Sequence, residues 1–434
     1  MENVDCIVVG AGLSGLACAQ TLLQASKSVL VLEASDAPGG RVATDTIDGF
    51  QVDRGFQVYL DSYAEGQRFL DYASLAFGAF EPGAFVAHRG RLFPVSDPWR
   101  RPIAAIRSVL SGAVGVSDGL RIAWLRSQVL GGVRRGEINP SSISGHGEKT
   151  TREELVLRGF SSKFIKLFFE PFFGGVFLER DLTTAATVFK FTFAMFSSGR
   201  ACLPAGGMSA IPQQMAQKLP SGSLQTRASV VRINYSSNGG GDVVLADGRR
   251  FRADSIIVSS AAVANPILLP ESVSAEWKPQ PWKAARLVAF ECAKTPSCGK
   301  TLVVSAEPVD VGPIDNLSVP SAVTDGYAPD GKNLIYVSVR SDWEGENNQL
   351  PDAIRKQAEV WFGPDVKLWR HLSTVTVPKA LPIETPLARR QRPRSSHLAP
   401  GLFLCGDHLT SSSINGALVA GRLAAQEVLE SVRP

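Results

Sequence analysis

Cys6-Ile7-Val8-Val9-Gly10-Ala11-Gly12-Leu13-Ser14-Gly15-Leu16 runs from an apolar tetrad through three spaced glycines into an Ala- and Leu-rich segment. The tetrad suits a strand buried on both faces, and Leu16 to Ala25 reads as a helix. A second apolar run, Val29-Leu30-Val31-Leu32, ends on Glu33. This is a strand–helix–strand unit within about 35 residues. In such a unit Gly10 permits the tight turn, Gly12 lets a diphosphate approach the backbone, and Gly15 lets helix and strand pack closely. Ala11, Leu13 and Ser14 complete the loop. The helix N-terminus offers free N–H groups and a partial positive charge to an anion. Glu33, followed by Ala34, can accept hydrogen bonds from both ribose hydroxyls of an adenosine and disfavours a 2′-phosphate.

Gly39-Gly40-Arg41-Val42 follows. Two glycines let the chain turn beneath a ligand, and a guanidinium can neutralise a diphosphate. A bare nicotinamide site does not require this second element. Gly49-x-x-x-Asp53-x-Gly55-Phe56 comes next, and Gly55 can bring backbone close to a flat ring.

The 434 residues allow two or three domains and a large core. Apolar residues make up 44% and charged residues 20%, which argues against a disordered or coiled-coil chain. The net charge of +4 is too small and too dispersed for a nucleic-acid binder. No apolar run is long enough for a transmembrane helix. The strand begins by Asp5, which leaves no room for a secretory signal or transit peptide. The six cysteines form no CxxC pair, so no zinc site or redox dithiol is expected. Reduced thiols fit an intracellular protein, cytoplasmic or peripheral on a membrane, or organellar after loss of a leader.

Further along, residues 85–95 predict a hairpin, and residues 100–130 and 152–199 predict helices with a loop at 136–150. Residues 228–258 predict a set of strands, with more at 284–305 and 333–340. Gly401-Leu402-Phe403-Leu404-Cys405 predicts a last buried strand before a helix from about Ile414 to Leu429. The opening and closing segments therefore belong to one domain built from both ends of the chain.

These motifs together resemble the superfamily of flavin-containing amine oxidases, phytoene desaturases and protoporphyrinogen oxidases. The resemblance rests on Gly10 to Gly15, Glu33, Gly39-Gly40-Arg41, Pro204-x-Gly206-Gly207-Met208, Val230-Val231, Gly401 to Asp407, Ser413-Ile414-Asn415-Gly416-Ala417 and Gly421. It implies an α/β fold: a Rossmann-like FAD-binding domain of the amine oxidase (GR2) type with a second, mixed-sheet and helical substrate domain. The FAD domain would take residues 1–77, 200–262 and 385–434, and the substrate domain 78–199 and 263–384. By position, Glu33 would hold the adenosine ribose, and Arg41 would lie by the diphosphate or the inner face of the flavin. Val231 would present backbone to the adenine. Asp407 would meet the diphosphate or ribityl region. Ile414 and Asn415 would face the flavin N1 and O2 edge, where a helix N-terminus stabilises the reduced flavin, with Gly406 and Ser413 as further cofactor contacts.

The expected activity is FAD-dependent oxidation, hydride passing from a substrate C–H bond to flavin N5 with no side-chain catalyst assigned. An apolar, isoprenoid- or polyene-like substrate and a desaturase-like reaction are favoured, with oxygen or a quinone as electron acceptor. The alternatives are an amine or amino-acid oxidase, a non-redox flavin isomerase, and a prenyl-binding escort protein. Seven phenylalanines between 160 and 177, with Phe189, Phe191, Phe193 and Phe196, either line an apolar substrate pocket or fill a core. Seven arginines between 100 and 135, interleaved with apolar residues against the single acid Asp118, form either a solvated basic face or a peripheral membrane contact. Arg389, Arg390, Arg392 and Arg394 read as a surface loop. The five histidines form no metal site, and Cys405 reads as a buried thiol.

Overall fold

The computed structural model describes residues 3–97, 99–101, 115–142, 145, 147–236, 239–259, 281–393 and 395–431. Asn3–Val9 is the centre of the first sheet. It pairs in parallel with Val29–Leu32 on one side, Ile7 opposite Leu30, and with Arg250–Val258 on the other, Ile7 opposite Ile256. Leu402–Leu404 joins the far edge of Arg250–Val258, also in parallel. Ile7, Val8, Val31, Ile257 and Phe403 are fully buried. Burial on both faces explains why these strands read as continuous apolar runs rather than alternating ones. Val230–Tyr235 and Gly241–Leu245 extend the sheet antiparallel.

The last helix, Ile414–Ser431, packs across the first, Leu13–Gln24. A Cβ on Gly421 would stand 2.1 Å from the Ser14 carbonyl oxygen, so only glycine permits this approach. The two ends of the chain are thus locked together.

A second sheet has seven strands in the order Arg370–Pro382, Trp282–Cys292, Asn333–Val339, Ile314–Ser318, Leu302–Ser305, Gly83–His88 and Arg91–Ser96. It is antiparallel except where Leu302–Ser305 meets Gly83–His88. The predicted hairpin is present, and it turns on Arg89 and Gly90, both at positive φ.

The phenylalanine-rich segment is not one helix. It divides into Thr151–Leu157, Ser162–Phe164, a π-helical turn at Ile165–Phe169, Glu170–Phe177 and Ala186–Ser198. Left-handed Gly159 and Leu178 break the i→i−4 ladder between the pieces. Of the helix expected at 100–130, Val116–Arg134 is present, and residues 102–114 lie outside the described residues. The expected domain boundary at 262 also lies outside them.

The arginine-rich stretch near 390 departs from expectation. Arg389 is fully buried and Arg392 nearly so, while Arg390 is exposed and Arg394 lies outside the described residues. Glu384 pairs with both buried guanidiniums, and Arg389 also donates to the carbonyls of Pro140, at 2.8 Å, and Ser142, at 2.7 Å. The Glu384 carboxylate and these carbonyls offset the two buried charges.

Asp53 ties the 44–53 hairpin to the second sheet. Its Oδ1 accepts from Thr44 Oγ1 at 2.6 Å and Met208 N at 2.9 Å, and its Oδ2 accepts from Tyr327 OH at 2.8 Å. The Tyr336 hydroxyl accepts from its backbone N–H at 2.7 Å. The Pro204–Met208 motif thereby serves as an anchor for the 44–53 hairpin. Burial pushes the Asp53 carboxyl up to about 6, against the three bonds that favour its charged form. The folded state then holds a proton that the unfolded state has lost between pH 4 and 6, so this group's contribution to stability falls as pH rises through that window. Asp53→Asn should remove that slope, at most about 1.4 kcal/mol per pH unit, while keeping the Thr44 and Met208 bonds. Urea unfolding of both proteins from pH 4 to 7 checks it, and parallel pH dependences would contradict it.

Candidate cofactor groove and substrate chamber

A groove of about 480 Å³ runs along the C-terminal ends of the parallel strands. Gly10, Gly12, Leu13, Ser14, Glu33, Gly39 to Val42, Gly55 and Phe56 line it, together with Gly406, Asp407, Ser413 and Ile414 from the other end of the chain. Gly12 begins the first helix with no side-chain cap, and nothing stands within 4 Å of where its Cβ would be. This is an open cradle with free helical N–H groups, the arrangement that a diphosphate requires.

Glu33 is buried, and its carboxylate bridges the turn. Oε2 accepts from Ala11 N at 2.7 Å, and Oε1 accepts from Ser35 N at 2.9 Å and Ser35 Oγ at 2.7 Å. Arg41 and Asp407, separated by 366 residues, form a two-pronged ion pair at 2.5 and 2.9 Å. Arg41 Nη1 also donates to Ala380 O at 2.9 Å, and the guanidinium stacks 5.0 Å from the Trp282 ring. Burial holds the neighbouring His408 down to about 4, so it stays uncharged at neutral pH. The charges that act on it are those of Asp407, Arg41 and Arg392. Ser413 caps the last helix, its Oγ accepting from Gly416 N at 2.9 Å.

Not every expected residue reaches the groove wall. Ala11 and Gly15 are buried beneath the loop, and a Cβ on Gly15 would meet the Gly10 carbonyl oxygen at 2.1 Å. Ala34 is exposed beyond Glu33. Val231 is 45% exposed and lies outside the wall. Asn415 is buried, with its Oδ1 accepting from Glu65 N at 3.3 Å. Cys405 does line the groove and is a buried free thiol.

Sequence reading missed the opposite wall. Gln57, Trp282, Val377, Leu381 and Asn316 lie there, most of them on the second sheet. Nothing in the local sequence marks them, because strand pairing across the second sheet brings them in.

The phenylalanines divide between both readings. Phe164, Phe169 and Phe189 are buried in a stacked and edge-to-face cluster, as core, and Phe173, equally buried in that cluster, also borders the chamber. Phe168, Phe172 and Phe196 are only partly buried and wall a second chamber of about 210 Å³. The groove and chamber share Phe56, Val58, Phe172, Val176, Phe196 and Leu302. Their junction is therefore apolar throughout. Arg100 and Arg126 stand at the chamber's other end and donate to carbonyls that close the helix Ala186–Ser198, Arg100 to Gly199 O at 2.6 Å and Arg126 to Ser197 O at 2.8 Å.

Among known proteins, the chain is 25% identical over 406 residues to coproporphyrinogen III oxidase of Propionibacterium freudenreichii, covering 80% of this chain and 74% of that one. Two solved structures superpose on 99% of it. One is a putrescine oxidase bound to putrescine (TM-score 0.72, 16% identity, 99% of that chain). The other is a putative protoporphyrinogen oxidase from Exiguobacterium sp. 255-15 (TM-score 0.72, 17% identity, 100% of that chain). These two establish the fold. Residues 13–429 match the family described as flavin containing amine oxidoreductase. The chain belongs to this family and is an FAD-dependent oxidoreductase.

Proposed function

We propose that the groove from Gly12 past Glu33 and the Arg41–Asp407 pair to Ile414 holds FAD, and that the aromatic chamber holds an apolar substrate whose C–H bond is oxidised in a desaturase-like reaction. FAD, when bound, supplies the hydride acceptor. The protein's own part is to align the substrate and exclude water. Residues 1–77, 200–262 and 385–434 would form the cofactor half, and 78–199 with 263–384 the substrate half. Electrons would leave to oxygen or a quinone.

The observation that carries this reading is the apolar junction between groove and chamber. The six residues shared by the two cavities offer no carboxylate to a cationic amine, and the chamber's own carboxylates, Glu81 and Asp97, are paired with Arg101 and Arg100. No lysine lines either cavity among the described residues. Anaerobic mixing of the FAD-loaded protein with a polyene, a porphyrinogen and an alkyl diamine tests the reading. Bleaching of the flavin band by one of the apolar compounds and not by the diamine is expected. Bleaching by the diamine alone would overturn it.

The helix Val116–Arg134 presents Val116 and Leu120, each 69% exposed, and Trp124, 53% exposed, on one face at four-residue spacing. Arg134 and Arg135, both exposed, lie at its end. We assign this stripe to an anionic lipid surface, by which an apolar substrate would arrive. Leu120→Glu with Trp124→Glu should abolish co-sedimentation with vesicles containing phosphatidylserine. Equal sedimentation of both proteins, or none of the native protein, would contradict the assignment.

A further inference from the structure

Two thiols meet beneath the phosphate cradle. Ser14 and Cys18 stand one turn apart on the same face of the helix Leu13–Gln24. Ser14 Oγ lies 2.9 Å from the Oγ of Ser259, which follows the strand Arg250–Val258. The strand Leu402–Leu404 runs parallel to it with Leu404 opposite Val258, so Cys405 comes level with Ser259, and the Cys405 N–H donates to Val258 O at 3.0 Å. The Cys405 thiol is hydrogen-bonded to Cys18, Ser259 and Ser14. Cys405, Ser14 and Ser259 all line the cofactor groove, and Cys18 is fully buried behind them.

The two sulfurs are not equivalent. Burial raises a thiol, but at Cys405 the bonds from Cys18, Ser259 and Ser14 outweigh it and hold the thiol below its ordinary range. The N–H groups of the first helical turn, where Ser14 stands, also favour a thiolate. At Cys18 the bond to Cys405 and burial both push the thiol up. Cys405 is thus the nucleophile on the groove side, and Cys18 the protonated thiol behind it. Burial pushes Cys6, Cys202, Cys292 and Cys298 up to about 12. No CxxC spacing marks the pair, because its members come from opposite ends of the chain.

We propose that Cys405 and Cys18 are a peroxide-sensitive dithiol that closes to a disulfide in the apoprotein and is shielded once FAD covers Cys405. The Cys405 sulfur attacks one oxygen of hydrogen peroxide, the O–O bond breaks, and hydroxide leaves and takes up the proton that Cys405 gave. Cys405 is then a sulfenic acid. The Cys18 sulfur attacks Cys405 Sγ, the S–S bond forms, the S–O bond breaks, and the oxygen leaves as water with the Cys18 proton. Two thiols have lost two electrons, and one peroxide has become two waters. The disulfide joins the first helix to the last strand, the two ends of the chain that build the groove. The dithiol stands apart from the cofactor reading above, and only its shielding rests on that reading.

The test treats the apoprotein and the FAD-loaded protein with hydrogen peroxide, blocks the remaining thiols, and maps the peptides by mass spectrometry. The apoprotein should give a cross-linked peptide pair joining Cys18 to Cys405, about tenfold faster than the FAD-loaded protein does. Cys18→Ser should stop at the sulfenic acid of Cys405, which dimedone traps, and Cys405→Ser should give neither product. Absence of the cross-link from the native apoprotein would overturn the proposal, and that result needs no variant to fold. A cross-link from Cys18 to Cys6 in its place would overturn it as well. The same cross-link at equal rates with and without FAD would instead overturn the shielding, and with it the placement of FAD over Cys405.

Discussion

Gly12→Ala is expected to leave the fold intact and to weaken FAD binding by about a hundredfold or more. The backbone at Gly12 has φ −68°, which alanine adopts without strain, and no atom stands within 4 Å of the new methyl group. The apoprotein should therefore melt like the native one. The methyl group would instead occupy the space through which a diphosphate reaches the first helix N–H groups. A hundredfold loss corresponds to about 2.7 kcal/mol, the scale of one or two charge-assisted hydrogen bonds. Gly15→Ala gives the opposite result. Its Cβ would stand 2.1 Å from the Gly10 carbonyl oxygen and 2.9 Å from Ser259 Oγ, so the helix must move off the strand. A loss of about 3 kcal/mol of stability or more is expected, with little soluble protein recovered. Thermal melts of the apoproteins with flavin-fluorescence titrations separate the two. A Gly12→Ala protein that binds FAD normally would remove the cradle from the account.

Glu384→Ala should be the most destabilising single change outside the glycines. Its carboxylate, 3% exposed, meets Arg389 and Arg392, and its Oε1 accepts from Ser412 N at 2.7 Å and Ser412 Oγ at 2.8 Å. Removing it leaves two buried guanidiniums without their shared carboxylate, Arg389 keeping Glu148 at 3.6 Å and the carbonyls of Pro140 and Ser142, and Arg392 keeping that of Thr410. Breaking a buried pair this way costs about 3–5 kcal/mol. Ser412 also loses the anchor that fixes the loop entering the last helix. Glu384→Gln retains an acceptor for Ser412 and should fall between the two. Denaturant unfolding decides, and a loss below about 1 kcal/mol for Glu384→Ala would show that the network contributes nothing net.

The first sheet was readable because its strands are buried on both faces, which writes burial directly into the sequence as unbroken apolar runs. The glycine spacing and Glu33 were readable because close backbone approach admits few residue types. The resemblance placed Arg41 and Asp407 each near the diphosphate, but their ion pair was not expected, since no local pattern links positions so far apart. Other features had no such signature. The run from Pro386 to Arg394 has the composition of an exposed loop, yet one glutamate and several carbonyls bury two of its arginines. The phenylalanines at 164, 168, 172 and 173 share a helical spacing, and only packing decides which face becomes core and which becomes wall. Gln57 and Asn316 are ordinary amides that nothing in the local sequence marks as groove wall. Val231 was placed by position alone; its side chain is exposed, while the role expected of it belongs to its backbone.

If both ends of the chain clasp one dinucleotide, hydrogen–deuterium exchange of the apoprotein against the protein with one equivalent of FAD will register it at both ends. Residues 10–15 and 407–415 should gain protection together, in the same titration, with residues 39–42 between them. Protection confined to the first segment, with 407–415 exchanging as in the apoprotein, would contradict it.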